Sequence, residues 1–185
     1  MRSMRPFLVF LFFVVIAGGL LSFFVPTYQQ VERSITLRAP AETVYEQISR
    51  LENFKEWSAW SSEDSLAIYT LGGTDGTPGA TMSWKGDAAV SGDGSIKITE
   101  LEKNRKVSHE FLFESPRKMK GLSDFTISGQ GGTTNVTWKF RLLTPRPWNI
   151  FNLFSSMDKE LGKDFERGLE SLRLRTEQQN GNTAP

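Results

Sequence analysis

The sequence predicts an α+β fold: a curved antiparallel sheet wrapped on one long C-terminal helix, with one transmembrane helix ahead of it. Three observations predict this. The first 30 residues contain a long uncharged apolar run. From Leu66 to Leu143 apolar and polar residues recur with a period of two, the spacing of strands. From Ile150 to Leu172 the apolar spacing lengthens to three and four residues, the spacing of one helix face.

The apolar run is "FLVFLFFVVIAGGLLSFFV", Phe7 to Val25, which is 19 residues with Ser22 as its one polar member. At about 1.5 Å per residue it is just long enough to cross hydrocarbon. Arg2 and Arg5 precede it, and Pro26 and Tyr28 follow it. A short tail over 1–6, a membrane anchor over 7–25 and a linker over 26–30 are expected. A cleaved signal peptide is the competing reading, because Ala17-Gly18-Gly19 could precede a cleavage site before Leu20. The run continues past that point, whereas signal cores end after about 7–15 residues, which favours the anchor. The two arginines at the start favour a cytoplasmic amino terminus, although Arg33 and Arg38 lie within reach on the other side. The rest of a single-pass membrane chain then lies on the extracytoplasmic, periplasmic side.

Residues 31–177 suffice for one well-cored domain. Val31, Ile35 and Leu37 alternate with Glu32, Thr36 and Arg38, giving a half-buried first strand. In "RAPAETVYEQISRLENFKEW", Pro40 suits a first helical turn, and Val44, Ile48 and Leu51 form an apolar stripe. Asn53 is expected to interrupt this helix before a short turn running into Trp57. Strands follow at "LAIYTL" and "ATMSWKG", the second with Met82 and Trp84 on one face. "IKITELE" and "KVSHEFLF" form a hairpin across "KNR", and "MKGLSDFTISG" and "TTNVTWKFRLL" another across "GQGG". "TPRPW" ends the sheet, since proline donates nothing to a ladder. The last helix is expected over 149–177, with Ile150, Phe154, Met157, Leu161, Phe165, Leu169 and Leu172 on its apolar face. Gly162 and Gly168 interrupt it, for which close approach to a sheet or a ligand is a reason. The tail 178–185 is polar and expected to be disordered.

A bent sheet gripping one helix leaves an apolar space between them, which is a natural small-ligand cavity. Trp84, Phe111, Phe125, Trp138 and Phe154 are expected to converge there. Met82 and Met157 join them by their faces. His109 joins by alternation with Val107, Phe111 and Phe113. Trp57 is expected to plug the end of the grip. Trp60, one turn on, is divided between core and the lip of the cavity. The candidate ligand-binding set is therefore Trp60, Met82, Trp84, His109, Phe111, Phe125, Trp138, Phe154 and Met157. Trp148, Phe151 and Leu153 exceed what one helical stripe needs, so they either pack on neighbouring loops or touch the bilayer.

Several function classes are excluded or weakened. With 22 Lys+Arg against 21 Asp+Glu there is no basic field for nucleic acid. No cysteine and a single histidine exclude a thiol nucleophile and a multi-histidine metal site. No phosphate-binding or dinucleotide motif occurs, and no cofactor is expected. His109 is the weak candidate for a catalytic acid or base. A satisfied interior histidine is the alternative. Asp124 is expected to face outward, and Glu63 and Asp64 to end a solvated loop.

The stretches "ITLRAPAETVYEQISRLENFKEWSAWSSED", "GTPGATMSWKGD", "GDGSIKITELEKNRKVSHEFLF", "TTNVTWKF" and "MDKELGKDFERGLESL" together resemble the START-like (SRPBCC) superfamily. The bacterial polyketide cyclase/dehydrase-like group is the nearer resemblance. Its landmarks are the A-P-A-x-x-V opening, the W-S-x-W stretch, and Gly162, Phe165, Gly168, Leu169 and Leu172 near the end. Ala59 and Ser65 depart from the pattern, standing where the family commonly has proline. The resemblance implies a helix-grip fold. It implies several functions, because that fold serves lipid carriers, hormone and pigment binders, cyclases and chaperone co-regulators. Three functions stay open: a membrane-anchored domain binding an apolar small molecule or lipid without chemistry, a cyclase/dehydrase-like enzyme using the same cavity, and an interaction module of the cell envelope.

Overall fold

The structure, a computed structural model, describes residues 5–183. Helix α1 (Arg5–Leu21) leads through a turn into strand β1 (Tyr28–Leu37). Three short helices follow: α2 (Ala41–Ser49), α3 (Leu51–Trp57) and α4 (Ala59–Glu63). Six strands come next: β2 (Ile68–Gly72), β3 (Thr81–Lys85), β4 (Asp93–Glu102), β5 (Lys106–Ser115), β6 (Met119–Gln130) and β7 (Thr133–Leu143). A 3-10 segment (Trp148–Leu153) precedes the long helix α5 (Met157–Thr183).

The strands make one seven-stranded sheet in the order β1-β7-β6-β5-β4-β3-β2, every neighbouring pair antiparallel. The chain leaves β1 at one edge and enters β2 at the other, so α2–α4 must cross the sheet. The period-two pattern explains which face they cover. Val136, Trp138 and Phe140 of β7 and Phe125 and Ile127 of β6 are buried, while the residues between them reach solvent. Phe165, Leu169 and Leu172 of α5 are buried against that face. Ring centroids of Trp138 and Phe165 stand 4.0 Å apart. The α+β helix-grip architecture is therefore present.

The membrane-crossing helix over 7–25 is a different matter. Among the described residues no helix is long and apolar enough to cross a membrane. Helix α1 has 17 residues, about 25 Å of rise against about 30 Å of hydrocarbon. It ends because Ser22 turns the chain: its Oγ donates to Gly19 O at 2.6 Å, and its own carbonyl is held by the domain. The linker is also shorter than expected. Strand β1 begins at Tyr28, opposite Leu143, which leaves only Pro26 and Thr27 between turn and sheet.

Other boundaries moved for local reasons. The break after α2 falls at Arg50, not Asn53, because Asp75 caps the next helix: its carboxylate accepts from the Leu51 and Glu52 N–H groups at 2.8 and 3.2 Å. The long helix starts at Met157, where Gln29 Oε1 accepts the Met157 N–H at 2.8 Å. Residues 148–153 instead form the 3-10 segment, and Phe154, expected inside, is 85% exposed. At the other end α5 runs to Thr183, so the expected disordered tail is helical that far. Gln47 Nε2 donates to Gln179 Oε1 at 3.2 Å. Ala184 and Pro185 lie outside the described residues, as do Met1 to Met4.

Candidate functional site: an apolar cavity at one end of the grip

Between the sheet, α3–α4 and the start of α5 lies a cavity of about 250 Å³. Its position follows from the strand register. Phe113 of β5 opposes Met119 of β6, and Phe111 opposes Gly121, which opposes Leu142 of β7. Phe111, Phe113, Met119, Phe140 and Leu142 all line the space. This is the end of the sheet at which β1 begins, since Tyr28 pairs with Leu143. Helices α3 and α4 supply Phe54, Trp60 and Ser61, and α5 supplies Leu161.

Two glycines make room for the large rings. A Cβ on Gly94 would stand 2.5 Å from the Trp84 ring and 2.6 Å from Leu112 O. A Cβ on Gly121 would stand 2.5 Å from the Phe140 ring. These rings can therefore lie flat along the sheet only because the facing backbone carries no side chain. Trp84 is fixed further by its Nε1–H, which donates to Ser91 O at 3.2 Å.

Of the nine residues expected at the site, four line the cavity: Trp60, Met82, Trp84 and Phe111. The other five do not. Phe125 and Trp138 are buried core, stacked at 4.9 Å. Met157 is buried at the start of α5. Phe154 is displaced to the surface by the 3-10 segment. His109 is 1% exposed and sits edge-on to Phe54 at 5.5 Å and Phe125 at 5.9 Å. Neither of its ring nitrogens has a hydrogen-bond partner. Burial pushes its pKa down to about 3, against the smaller upward pull of Asp124 and Asp75. The ring is thus neutral and away from the cavity wall, and it has no geometry for proton transfer there.

Trp57 is 1% exposed and donates its Nε1–H to Gln47 O at 2.9 Å, which makes it core. Trp60 meets Phe111, Trp138, Phe140 and Phe165 edge-on at 5.6–6.2 Å while lining the cavity. It therefore joins core and wall.

Residues that the sequence did not single out complete the wall. Phe113 and Leu142 follow from alternation with Phe111 and Phe140. Val90 and Ser91 do not, because they come from the loop after β3. Asp64 holds that loop. Its Oδ2 accepts from Ser91 Oγ and from the Asp87 N–H at 2.8 Å. The hydroxyl of Ser91 first, then the Asp87 amide, hold its carboxyl below the usual range. Far from ending a solvated loop, Asp64 is 7% exposed. Asp124 does face the outer side of the sheet, paired with Arg141 at 2.7 Å and accepting from Ser108 Oγ at 2.7 Å.

Among the described residues no Asp, Glu, His, Lys or Arg lines the cavity, and no group of three or more His, Asp or Glu could hold a metal ion. Serine hydroxyls and Tyr69 are its polar groups. A second hollow, about 310 Å³, lies between α2 and the 75–77 loop and is walled by Glu42, Glu46, Arg50, Asp75 and Lys103. Its Asp75 is already engaged as the cap of α3.

Comparison with known proteins agrees with the geometry. The family described as polyketide cyclase / dehydrase and lipid transport matches residues 28–177. A crystal structure of a Chromobacterium violaceum protein aligns with a TM-score of 0.57 at 12% identity, covering 80% of this chain and 97% of that one. A Mesorhizobium loti protein aligns at 0.56 and 14% identity, covering 85% and 100%. The solution structure of the Aha1 dimer from Colwellia psychrerythraea aligns at 0.55 and 16% identity, covering 80% and 96%. At these identities the likeness shows the fold alone. No curated protein matches the chain. With 150 of its 185 residues inside the match, counted from 28 to 177, the chain belongs to the polyketide cyclase / dehydrase and lipid transport family.

Proposed function

We propose that this domain binds an apolar small molecule, or the apolar part of a lipid, in the cavity and performs no chemistry on it. One observation carries the reading: the wall is built mainly from aromatic and aliphatic side chains, with serines and Tyr69 as its polar groups, and among the described residues no carboxylate, imidazole or cation lines it. A cavity of about 250 Å³ lies just under the roughly 300–1,000 Å³ of ordinary small-molecule sites. It suits one compact group or one segment of a chain. The serines at its edge can orient a polar end by hydrogen bonding. Cyclase/dehydrase-like chemistry shares the family description, but it needs an acid or base at the substrate; the one histidine lies elsewhere, which leaves Tyr69 as the side chain of that type among the described residues lining the cavity.

Helix α1 seats the domain in a membrane, with the cavity-bearing part on the extracytoplasmic side. Arg2 and Arg5, ahead of the apolar run that begins at Phe7, support that orientation.

Native mass spectrometry of the full chain, released gently from detergent, tests the binding. A retained apolar mass that is lost when Trp84 is replaced by Ala is the expected result. Protein that is always empty, and that fails to take up an added long-chain fatty acid, would overturn the reading.

A further inference from the structure

At the foot of α1 the chain turns through residues 22–25 and is clasped by the 3-10 segment. Asn149, fully buried, donates through Nδ2 to Ser22 O and Val25 O, both at 2.7 Å. Arg146 Nε donates to Ser22 O at 3.1 Å, and its guanidinium lies 5.2 Å from the Phe23 ring centroid. Asn152 Nδ2 donates to Pro26 O at 3.1 Å. These bonds fix the end of α1 to the domain.

The apolar side chains around this polar clasp face outward. Phe24 is 86% exposed, and Phe23, Trp148, Phe151, Leu153 and Phe154 are each more than half exposed. Trp148 and Phe151 stack on one another, which leaves their outer faces free. A contiguous apolar collar of this kind marks an interaction surface.

What covers the collar follows from the helix it surrounds. Every residue of α1 from Phe7 to Ile16 is apolar and exposed, so no single face is available for a protein groove. A helix apolar all round and not covered by its own domain is solvated by lipid. The clasp makes helix and collar one unit, so the medium that takes one takes the other. The lengths agree. Helix α1 is about 5 Å short of a hydrocarbon core, and interfacial apolar side chains sink about 5–10 Å into the headgroup boundary. Tryptophan is at home at that depth. Arg117 and Lys118 lie in the loop beside Pro116 and Met119 of the cavity wall, at the same end of the sheet. Their charge suits an anionic lipid surface.

We propose that the collar of Phe23, Phe24, Trp148, Phe151, Leu153 and Phe154 is seated in the interface of a lipid bilayer, completing the span that α1 leaves short and holding the cavity end of the sheet against the lipid. This rests on the reading that α1 enters a membrane, and the test separates the two. The full chain is reconstituted into phosphatidylcholine vesicles, with and without bromine on the acyl chains near the headgroup. Flotation is measured first, then quenching of tryptophan fluorescence. Four of the five tryptophans lie within the helix-grip domain and one, Trp148, lies in the collar. The expected result is flotation with bromine quenching, most of which is lost in Trp148→Phe. Flotation with quenching unchanged in Trp148→Phe overturns the collar and leaves the membrane reading standing. Failure to float, with the chain assembling into lipid-free oligomers, overturns both, and assigns the apolar surface to a second copy.

Discussion

Lowering the pH from 7 to 5 should cost this fold about 2 kcal/mol through His109 alone. In the folded chain burial holds the ring neutral down to a pKa of about 3. In the unfolded chain it titrates near 6.5. Between those values the unfolded state binds more protons than the folded one. Stability is therefore complete above about pH 6.5 and is lost as pH falls, by about 1.4 kcal/mol per unit. Over the 1.5 units from 6.5 to 5 this gives the stated figure, and near pH 3 the loss approaches about 5 kcal/mol as an upper bound. The carboxyls held below their usual range, on Asp64, Asp158 and Glu170, begin to matter only at lower pH, since their unfolded values lie near 4. The window from 6.5 to 5 thus isolates the histidine. The assay is guanidinium denaturation of the full chain in micelles at pH 7, 6 and 5, followed by tryptophan fluorescence, for the natural chain and His109→Leu. The leucine variant should lack the pH slope. At pH 7 it should be as stable or more stable by about 1–3 kcal/mol, because it removes a buried polar ring with no partner. Equal losses in both proteins between pH 7 and 5 would refute the reasoning, because His109 would then be hydrated or partnered in solution.

Gly168→Ala should stabilise the domain by about 0.5–1 kcal/mol, since the new Cβ meets Trp138 and Trp57 rings at ordinary contact of 3.5 and 3.8 Å, and thermal unfolding reads this. Gly162→Ala should gain less, because its Cβ would displace the Arg33 guanidinium from Asp158 and Glu166. Gly94→Ala should destabilise by about 1–3 kcal/mol and weaken binding of an apolar probe, as the new methyl collides with Leu112 O and pushes Trp84 into the cavity. Asp64→Ala should release the 86–92 loop, seen as faster hydrogen exchange at the Asp87 N–H, with the domain otherwise folded.

The sheet was legible because period-two alternation is a backbone property that tertiary packing rarely overrides. Val136, Trp138 and Phe140 are buried as the alternation of their strand requires. Alternation tells which face a ring takes, but not how far along the strand the sheet opens. That is why Phe125 and Trp138 were expected at the cavity and lie in the core. The 3-10 segment was illegible for a different reason. Ile150, Phe154 and Met157 fit helical spacing, but Asn149 is committed to carbonyls 124 and 127 residues away, and no local pattern encodes that bond. Gln29 at the start of α5 and Asp75 at the start of α3 are likewise caps supplied from distant sequence. Asp64 read as solvent-facing because its partners, Ser91 and the Asp87 amide, stand beyond an intervening strand pair.

The two-residue passage from the turn into β1 bears on how cargo could travel. Pro26 and Thr27 extend to about 7 Å, and the Thr144 N–H ties Thr27 O to the sheet at 2.8 Å. A ferry needs a leash long enough to leave the shore. On the proposal that α1 is held in lipid, two residues are no such leash, and the domain would not swing out to carry a molecule to a second membrane. A molecule bound in the cavity, as proposed, would then have to arrive and depart by its own diffusion or on another carrier.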